Sequence, residues 1–183
     1  MRLFHRLAVL LALAALVPAS PLQAALKIGS QAPDFTAAAF LAGEPFTYSL
    51  ADALKKGPVV LYFFPAAHTP GCNIEAHLFS EAIDEFKAAG ASVIGVTAGN
   101  VDELAAFSRE TEYCGGKFPV AADPGAKIAG QYDALLMKKP GWSDRTSYVI
   151  SPAGSIVHVH SDLSPDHHVS ETLKAVRTLD KQD

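Results

Sequence analysis

The chain is poor in cysteine. Only Cys72 and Cys114 occur in 183 residues. They form no C-x-x-C or C-x₃-C pair, which removes the dithiol motif of disulfide oxidoreductases and the paired ligands of structural zinc or copper sites. Runs of lysine and arginine are also missing. With 15 basic against 19 acidic residues, the formal net charge is −4. That balance argues against a nucleic-acid partner or an anionic membrane surface. The apolar run Leu7 to Val17 is too short for a comfortable membrane span. No linker, repeat or low-complexity tract interrupts residues 26–180, and the length suits one domain with a sizeable core.

The N-terminus has a composition of its own. Arg2 and Arg6 precede the Leu7–Val17 run, and "PASPLQAA" follows it with small residues. That is the pattern of a secretory signal peptide, with cleavage expected after Ala24; an uncleaved membrane anchor is the alternative. Residues 1–24 are therefore read as a signal peptide and 25–183 as one domain. Removing the leader leaves 13 basic residues against 19 acidic, a net charge of about −6. Export implies an oxidising compartment, the periplasm in a Gram-negative bacterium. There, two cysteines tend to form one disulfide. A structural Cys72–Cys114 bridge would close a loop of about 42 residues and stabilise the fold by roughly 4 kcal/mol.

Periodicity gives the architecture. A turn at Gly43–Glu44 joins two short strands into an N-terminal β-hairpin, and "SLADALKK" reads as a helical turn capped by Ser49. "PVVLYFFP" is an apolar run of strand length, suited to a central strand buried on both faces. In "GCNIEAHLFSEAIDEFKAAG", Ile74, Leu78, Ile83 and Phe86 mark one face of a helix ending at Gly90. "SVIGVTA" is a second buried strand. Asn100 and Glu103 have capping-box spacing ahead of a Val101, Leu104, Ala105, Phe107 stripe. A short strand, a short helix, two strands around Ser151–Gly154 and a terminal amphipathic helix follow. The order implies an α/β fold with a mixed central sheet flanked by helices.

Cys72 sits where a buried strand gives way to a helix. Thr69 suits the N-cap and Pro70 the first helical position, which puts Cys72 in the first turn. The unpaired N–H groups there favour negative charge, and a thiolate is one. A metal is a weaker reading. His68, Cys72 and His77 do not converge, since His77 lies about 140° round the helix from Cys72. His158, His160, His167 and His168 read as a solvated cluster.

"PAAHTPGC" carries the P-x-x-x-T-x-x-C pattern at Pro65, Thr69 and Cys72, and "RTSYVISPAG" carries an R-x-x-[FY]-x-[IV] strand that begins at Arg145. Together they resemble the peroxiredoxins, and "TPGCNIEAHLF" is similar to the Q-type, or bacterioferritin-comigratory-protein, branch. The likeness spans roughly residues 27–178. It implies a thioredoxin-like fold and a thiol peroxidase that needs no cofactor or metal. Its substrates would be hydrogen peroxide and organic hydroperoxides, and its reductant a thioredoxin-like protein or a small thiol. Cys72 would attack the peroxide and become a sulfenic acid, assisted by Thr69 and Arg145, with Pro65 shielding the pocket. Many Q-type members place the resolving cysteine where this chain has His77. Cys114 fits the second family arrangement, after the following helix, with Gly115–Gly116 giving the segment freedom. A one-cysteine cycle with an external thiol is the alternative within the family, and the branch leans to a monomer. Outside the family, the rival is a redox-inactive thioredoxin-fold binding protein with a static disulfide.

Overall fold

The computed structural model describes residues 25–179. Residues 1–24, the expected signal peptide with Arg2 and Arg6, lie outside the described residues. The N-terminal strands β1 (Thr36–Leu41) and β2 (Glu44–Ser49) form the expected hairpin. Its turn has positive φ at both Ala42 (52°) and Gly43 (88°), the geometry that matches strand twist in two-residue hairpins. Ser49 then caps α1 (Leu50–Leu54), its hydroxyl accepting from the Asp52 N–H at 3.2 Å.

The chain next alternates. β3 (Val59–Phe63), α2 (Pro70–Ala88), β4 (Ser92–Thr97), α3 (Leu104–Arg109), β5 (Val120–Ala122) and α4 (Lys127–Gln131) lead to the pair β6 (Thr146–Ile150) and β7 (Ile156–Ser161), and α5 (His168–Leu179) closes the order. Seven strands make one sheet in the order β2-β1-β5-β4-β3-β6-β7. β3, β4 and β5 run parallel; β6 and β1 are antiparallel to their neighbours β3 and β5. β3 is the central strand that its apolar run predicts, and all five of its residues are buried.

Alternation along β3 divides the core in two. Val60 and Tyr62 point to one face, under α2, α3 and α5, with Phe79, Phe86, Phe107 and Val176. Val59, Leu61 and Phe63 point to the other, with Leu50, Ala129, Tyr132 and Tyr148. Both cysteines belong to the first core. Among the described residues no helix is long and apolar enough to cross a membrane.

Two local expectations are corrected. The buried face of α2 is Cys72, Glu75, Ala76, Phe79, Ser80, Ala82, Ile83 and Phe86, while Ile74 is exposed. The stripe is rotated towards Cys72 because an acidic residue, Glu75, occupies an inward position. The Asn100–Glu103 capping box does not form. Asn100 adopts a left-handed φ of 53°, residues Val101–Glu103 make a 3₁₀ turn, and no side-chain cap bond is present. Both side chains are used elsewhere, as described below.

Register explains one glycine. Tyr62 on β3 pairs directly with Gly95 on β4. The Tyr62 ring lies over that glycine, stacked on Phe79 at 4.4 Å between centroids. A Cβ at Gly95 would come within 2.7 Å of the ring. Tyr62 is wholly buried and has no room to yield. Gly95→Ala should therefore destabilise the protein by about 1–3 kcal/mol, read as a lower urea midpoint with an unchanged m-value.

Candidate active site

The segment between β3 and α2 is fastened to the loop after β4. The Thr97 hydroxyl donates to the Pro65 carbonyl at 3.0 Å, and the Asn100 amide donates to the Ala67 carbonyl at 2.9 Å. Gly99 permits the approach, since a Cβ there would lie 2.4 Å from the Pro65 oxygen. Thr69 occupies the N-cap position of α2 with extended backbone, and Pro70 follows. Its hydroxyl does not cap the helix; it donates to the Ala66 carbonyl at 2.9 Å. The first helical N–H to reach a carbonyl is that of Asn73, which donates to Thr69 at 2.9 Å. Pro70 has no N–H, so those of Gly71 and Cys72 stand free at the positive end of a 19-residue helix. Cys72 is 1% exposed in this turn.

Arg145 comes in from the start of β6 and is 4% exposed. Its guanidinium has three partners. Nε donates to the Leu163 carbonyl at 2.8 Å, Nη1 donates to Glu75 Oε2, and Nη2 lies 3.6 Å from Cys72 Sγ. Gly71 makes room for it, because a Cβ there would sit 2.9 Å from Nη2. The guanidinium is thus aimed at the sulfur by bonds on both sides.

Glu75 is the functional residue that motif reading misses. It is wholly buried on α2, one turn after Cys72, so the same helix face carries both. Its i+3 spacing from Cys72 is the signal that could have found it. Burial outweighs Arg145 and pushes the Glu75 carboxyl up to about 8. Burial thus works against the ionised form of Glu75, while the contact with Arg145 works for it.

His168 lies against the other oxygen of Glu75, with Nδ1 at 3.5 Å from Oε1. It was expected among solvated histidines, yet it is fully buried. Its Nε2–H donates to the Asp162 carbonyl at 2.9 Å, so Nδ1 accepts from the Ser147 hydroxyl at 2.8 Å. Burial pulls its imidazole down to about 4, which keeps the ring neutral. His158 and His160 are half-buried on β7, and only His167 is exposed.

His68 and His77 are not gathered round Cys72. His68 pairs with Glu103 and Glu110, and His77 with Glu81 at 3.4 Å. Among the described residues no group of three or more His, Cys, Asp or Glu side chains is arranged to hold a metal ion.

Cys114 is buried in the turn after α3, and both thiols are free. Burial pushes the Cys114 thiol well up. Gly115 and Gly116 both take left-handed φ, 60° and 67°. Their N–H groups tie the turn back to the Glu110 and Ser108 carbonyls at 2.9 and 2.8 Å.

A mixed sheet of thioredoxin-like type, a cysteine at a strand-to-helix junction and a buried arginine trained on it define the peroxiredoxin class of thiol enzymes. Comparison with known proteins agrees. The AhpC/TSA family model matches residues 28–159. A chloroplastic peroxiredoxin Q of Sedum lineare is 32% identical over 171 residues, covering 88% of this chain and 87% of its own. Its counterpart in Triticum aestivum is 33% identical over 129 residues, 68% of this chain and little more than half (57%) of that relative. Among solved structures, the peroxidoxin BcpB of Mycobacterium tuberculosis superposes with a TM-score of 0.74 at 30% identity, covering 84% of this chain and 98% of its own. The chain belongs to the AhpC/TSA family, on its Q-type peroxiredoxin branch.

The Glu75 carboxyl makes stability depend on pH. Its folded value lies above its ordinary 4.5, so the folded state holds a proton that the unfolded chain has lost between those two values. That contribution is full below about 4.5 and is lost as pH rises through about 8. Glu75→Gln fixes the neutral form. The stability of wild type relative to the variant should fall between pH 5 and 8 and level off above it, measured from urea midpoints. A difference independent of pH would show that Glu75 is ionised throughout.

Proposed function

We propose that this protein reduces hydrogen peroxide and organic hydroperoxides with Cys72 as the attacking thiolate and Cys114 as the resolving thiol. The observation that carries the reading is Arg145 Nη2 at 3.6 Å from Cys72 Sγ, held there by Glu75 and Leu163. The thiolate attacks one peroxide oxygen, the O–O bond breaks, and the sulfur becomes a sulfenic acid. Negative charge grows on the departing oxygen. Arg145 and the free N–H groups of the α2 start stabilise it where water is largely excluded. Thr69 spends its proton on the Ala66 carbonyl, so its oxygen is left to accept from the bound peroxide. Pro65 offers no competing N–H and closes the pocket wall.

Cys114 then attacks the sulfenic sulfur, and a dithiol reductant of thioredoxin type or a small thiol restores both cysteines. Cys72 lies in the first turn of α2 while the Cys114 turn meets that helix eight residues further on, at Ser80, a separation that favours this cycle over a static bridge in a binding protein. Residues 1–24 act as an export signal that delivers a monomer to an oxidising compartment, the periplasm in a Gram-negative bacterium; the two peroxiredoxin Q relatives named above are chloroplastic.

Hydrogen peroxide mixed with the reduced protein should be consumed quickly, at about one equivalent per molecule. Cys72→Ser should abolish the reaction. Consumption no faster than that of a free cysteine would overturn the peroxidase reading. Arg145→Lys keeps the charge but loses the three-way hold, and should slow the reaction about 10- to 100-fold. Cys114→Ser should leave the first equivalent intact, end disulfide formation and block turnover with a dithiol reductant. Undiminished turnover would assign resolution to an external thiol.

A further inference from the structure

His68 is the one residue of the Pro65–Cys72 segment with a left-handed backbone, φ 58°. Its ring leaves the peroxide site and reaches across to the segment that carries Cys114. Nδ1 lies 2.5 Å from Glu103 Oε2, in the 3₁₀ turn before α3, and Nε2 lies 3.2 Å from Glu110 Oε2, just after α3. The ring also stands edge-on to Phe107 at 5.3 Å and to Tyr113 at 5.4 Å, which are themselves stacked. One side chain therefore ties the Cys72 loop to both ends of α3 and to the residue before Cys114.

Resolution has to undo that tie. The turn holding Cys114 meets α2 at Ser80: Lys117 Nζ donates to the Ser80 carbonyl at 2.9 Å, and Gly115 faces the Ser80 hydroxyl. Ser80 is eight residues beyond Cys72, about 12 Å along the helix. A disulfide brings its two Cα atoms to about 4.4–6.8 Å. So the turn and the first turn of α2 must separate from their present partners before the sulfurs meet.

We propose that His68 is a positioning residue for the resolving step: it latches the Cys72 loop to the Cys114 segment, and its protonation state sets how fast that latch opens. The inference rests on Cys114 being the resolving thiol. The step itself balances without a further reagent. The Cys114 sulfur attacks the sulfenic sulfur, the S–O bond breaks as the S–S bond forms, and the Cys114 proton leaves with the oxygen as water. The sulfenic sulfur is reduced and the Cys114 sulfur oxidised by the same pair of electrons.

Charge decides the strength of the latch. A protonated imidazole donates to both carboxylates, whereas a neutral one donates to only one and turns a lone pair on the other. The charged groups that face the ring are Glu103 and Glu110; Phe107 and Tyr113 supply the rest of its surroundings. Burial pulls the ring down, but the hydrogen bonds and charges of Glu103 and Glu110 outweigh it and hold it above its ordinary value near 6.5. The sign follows: the latched state is favoured fully below about 6.5 and loses that advantage as pH rises through the raised value. Resolution is slow in acid and is released near neutrality. Slow resolution leaves the sulfenic acid open to a second peroxide and overoxidation.

The test uses the reduced full-length protein, one equivalent of hydrogen peroxide, and acid quenching with mass detection of the Cys72–Cys114 disulfide from pH 5.5 to 8.5. Two variants are compared with wild type: the double Glu103→Gln, Glu110→Gln change, at one exposed and one half-buried residue, and His68→Asn, which keeps the Glu110 charge that helps raise the Cys114 thiol and whose asparagine tolerates positive φ. Both should form the disulfide about three- to tenfold faster than wild type at pH 6 and converge with it by pH 8.5. The wild-type acceleration between those limits should disappear, leaving only the smooth rise from Cys114 ionisation. The double variant should consume the first equivalent of peroxide as wild type does. If wild type and variants form the disulfide with the same rates and pH profile, the latch is wrong while the resolving role stands. If none of them forms it, the resolving role falls and the latch falls with it.

Discussion

Arg145 is buried with a charge that deprotonation cannot remove, so the groups around it have to answer that charge. Each branch of the guanidinium does a separate task. Nε is anchored to the Leu163 carbonyl in the segment between β7 and α5, Nη1 to Glu75 on α2, and Nη2 faces Cys72. The one side chain thereby joins β6, the β7–α5 connection and the start of α2. Gly71 has no side chain because the guanidinium passes through the space a Cβ would take. Glu75 turns inward although a hydrophobic residue would suit that helix face better. The geometry of the cysteine is a consequence of how this cation is housed.

A fully ionised partner would house it too well. Glu75 ionised would cancel the field that stabilises charge on sulfur and on the leaving oxygen. Burial works against this, since it raises the Glu75 carboxyl above its ordinary value. Among the described residues Glu75 Oε1 has no hydrogen-bond partner, and the neighbouring Nδ1 of His168 is an acceptor already served by Ser147. Two acceptors face one another there, which disfavours the carboxylate. The carbonyl of Asp162 fixes the His168 tautomer and so reaches the sulfur through a chain of contacts. Stability is surrendered at this spot for a cation left partly uncompensated, as sites built for electrostatic work require.

Much of this was legible in the residues. The valine- and aromatic-rich run Val59–Phe63 announced a strand buried on both faces, and Pro65, Thr69 and Pro70 announced the junction that holds Cys72. Arg145 was legible through its motif, about seventy residues away, but its aim at the sulfur depends on tertiary packing. Glu75 was hidden because burial of a carboxyl group defies hydropathy; apolar periodicity puts Ile74 on the inward face, yet Ile74 is exposed. His168 was hidden for the same reason among four histidines close in sequence. Asn100 and Glu103 had the spacing of a cap, but long-range partners at Ala67 and His68 competed for both side chains and won. Local patterns held wherever backbone geometry decided, and failed wherever a polar side chain had a distant partner.

The two thiols pose a conflict that the fold resolves by separating them in stability. Cys72 sits on a long helix whose first turn is fastened at Ala66 and Ala67 and whose body is packed by Phe79 and Phe86. Cys114 sits in a turn with two left-handed glycines, held by backbone bonds to Glu110 and Ser108, by Lys117 on the Ser80 carbonyl, and by contacts of the His68 ring with Phe107 and Tyr113. Burial keeps the Cys114 thiol protonated and unreactive while the site is closed. Opening the turn exposes it to water, which restores its ordinary acidity and its nucleophilicity together. The same local opening thus moves the second sulfur and activates it. A thiol where this chain has His77 would lie about 140° round α2 from Cys72 and would need that helix itself to unwind before the sulfurs met. If Cys114 resolves Cys72, opening of this buried turn has to precede the second bond, and the local stability of the turn then sets the pace of that step.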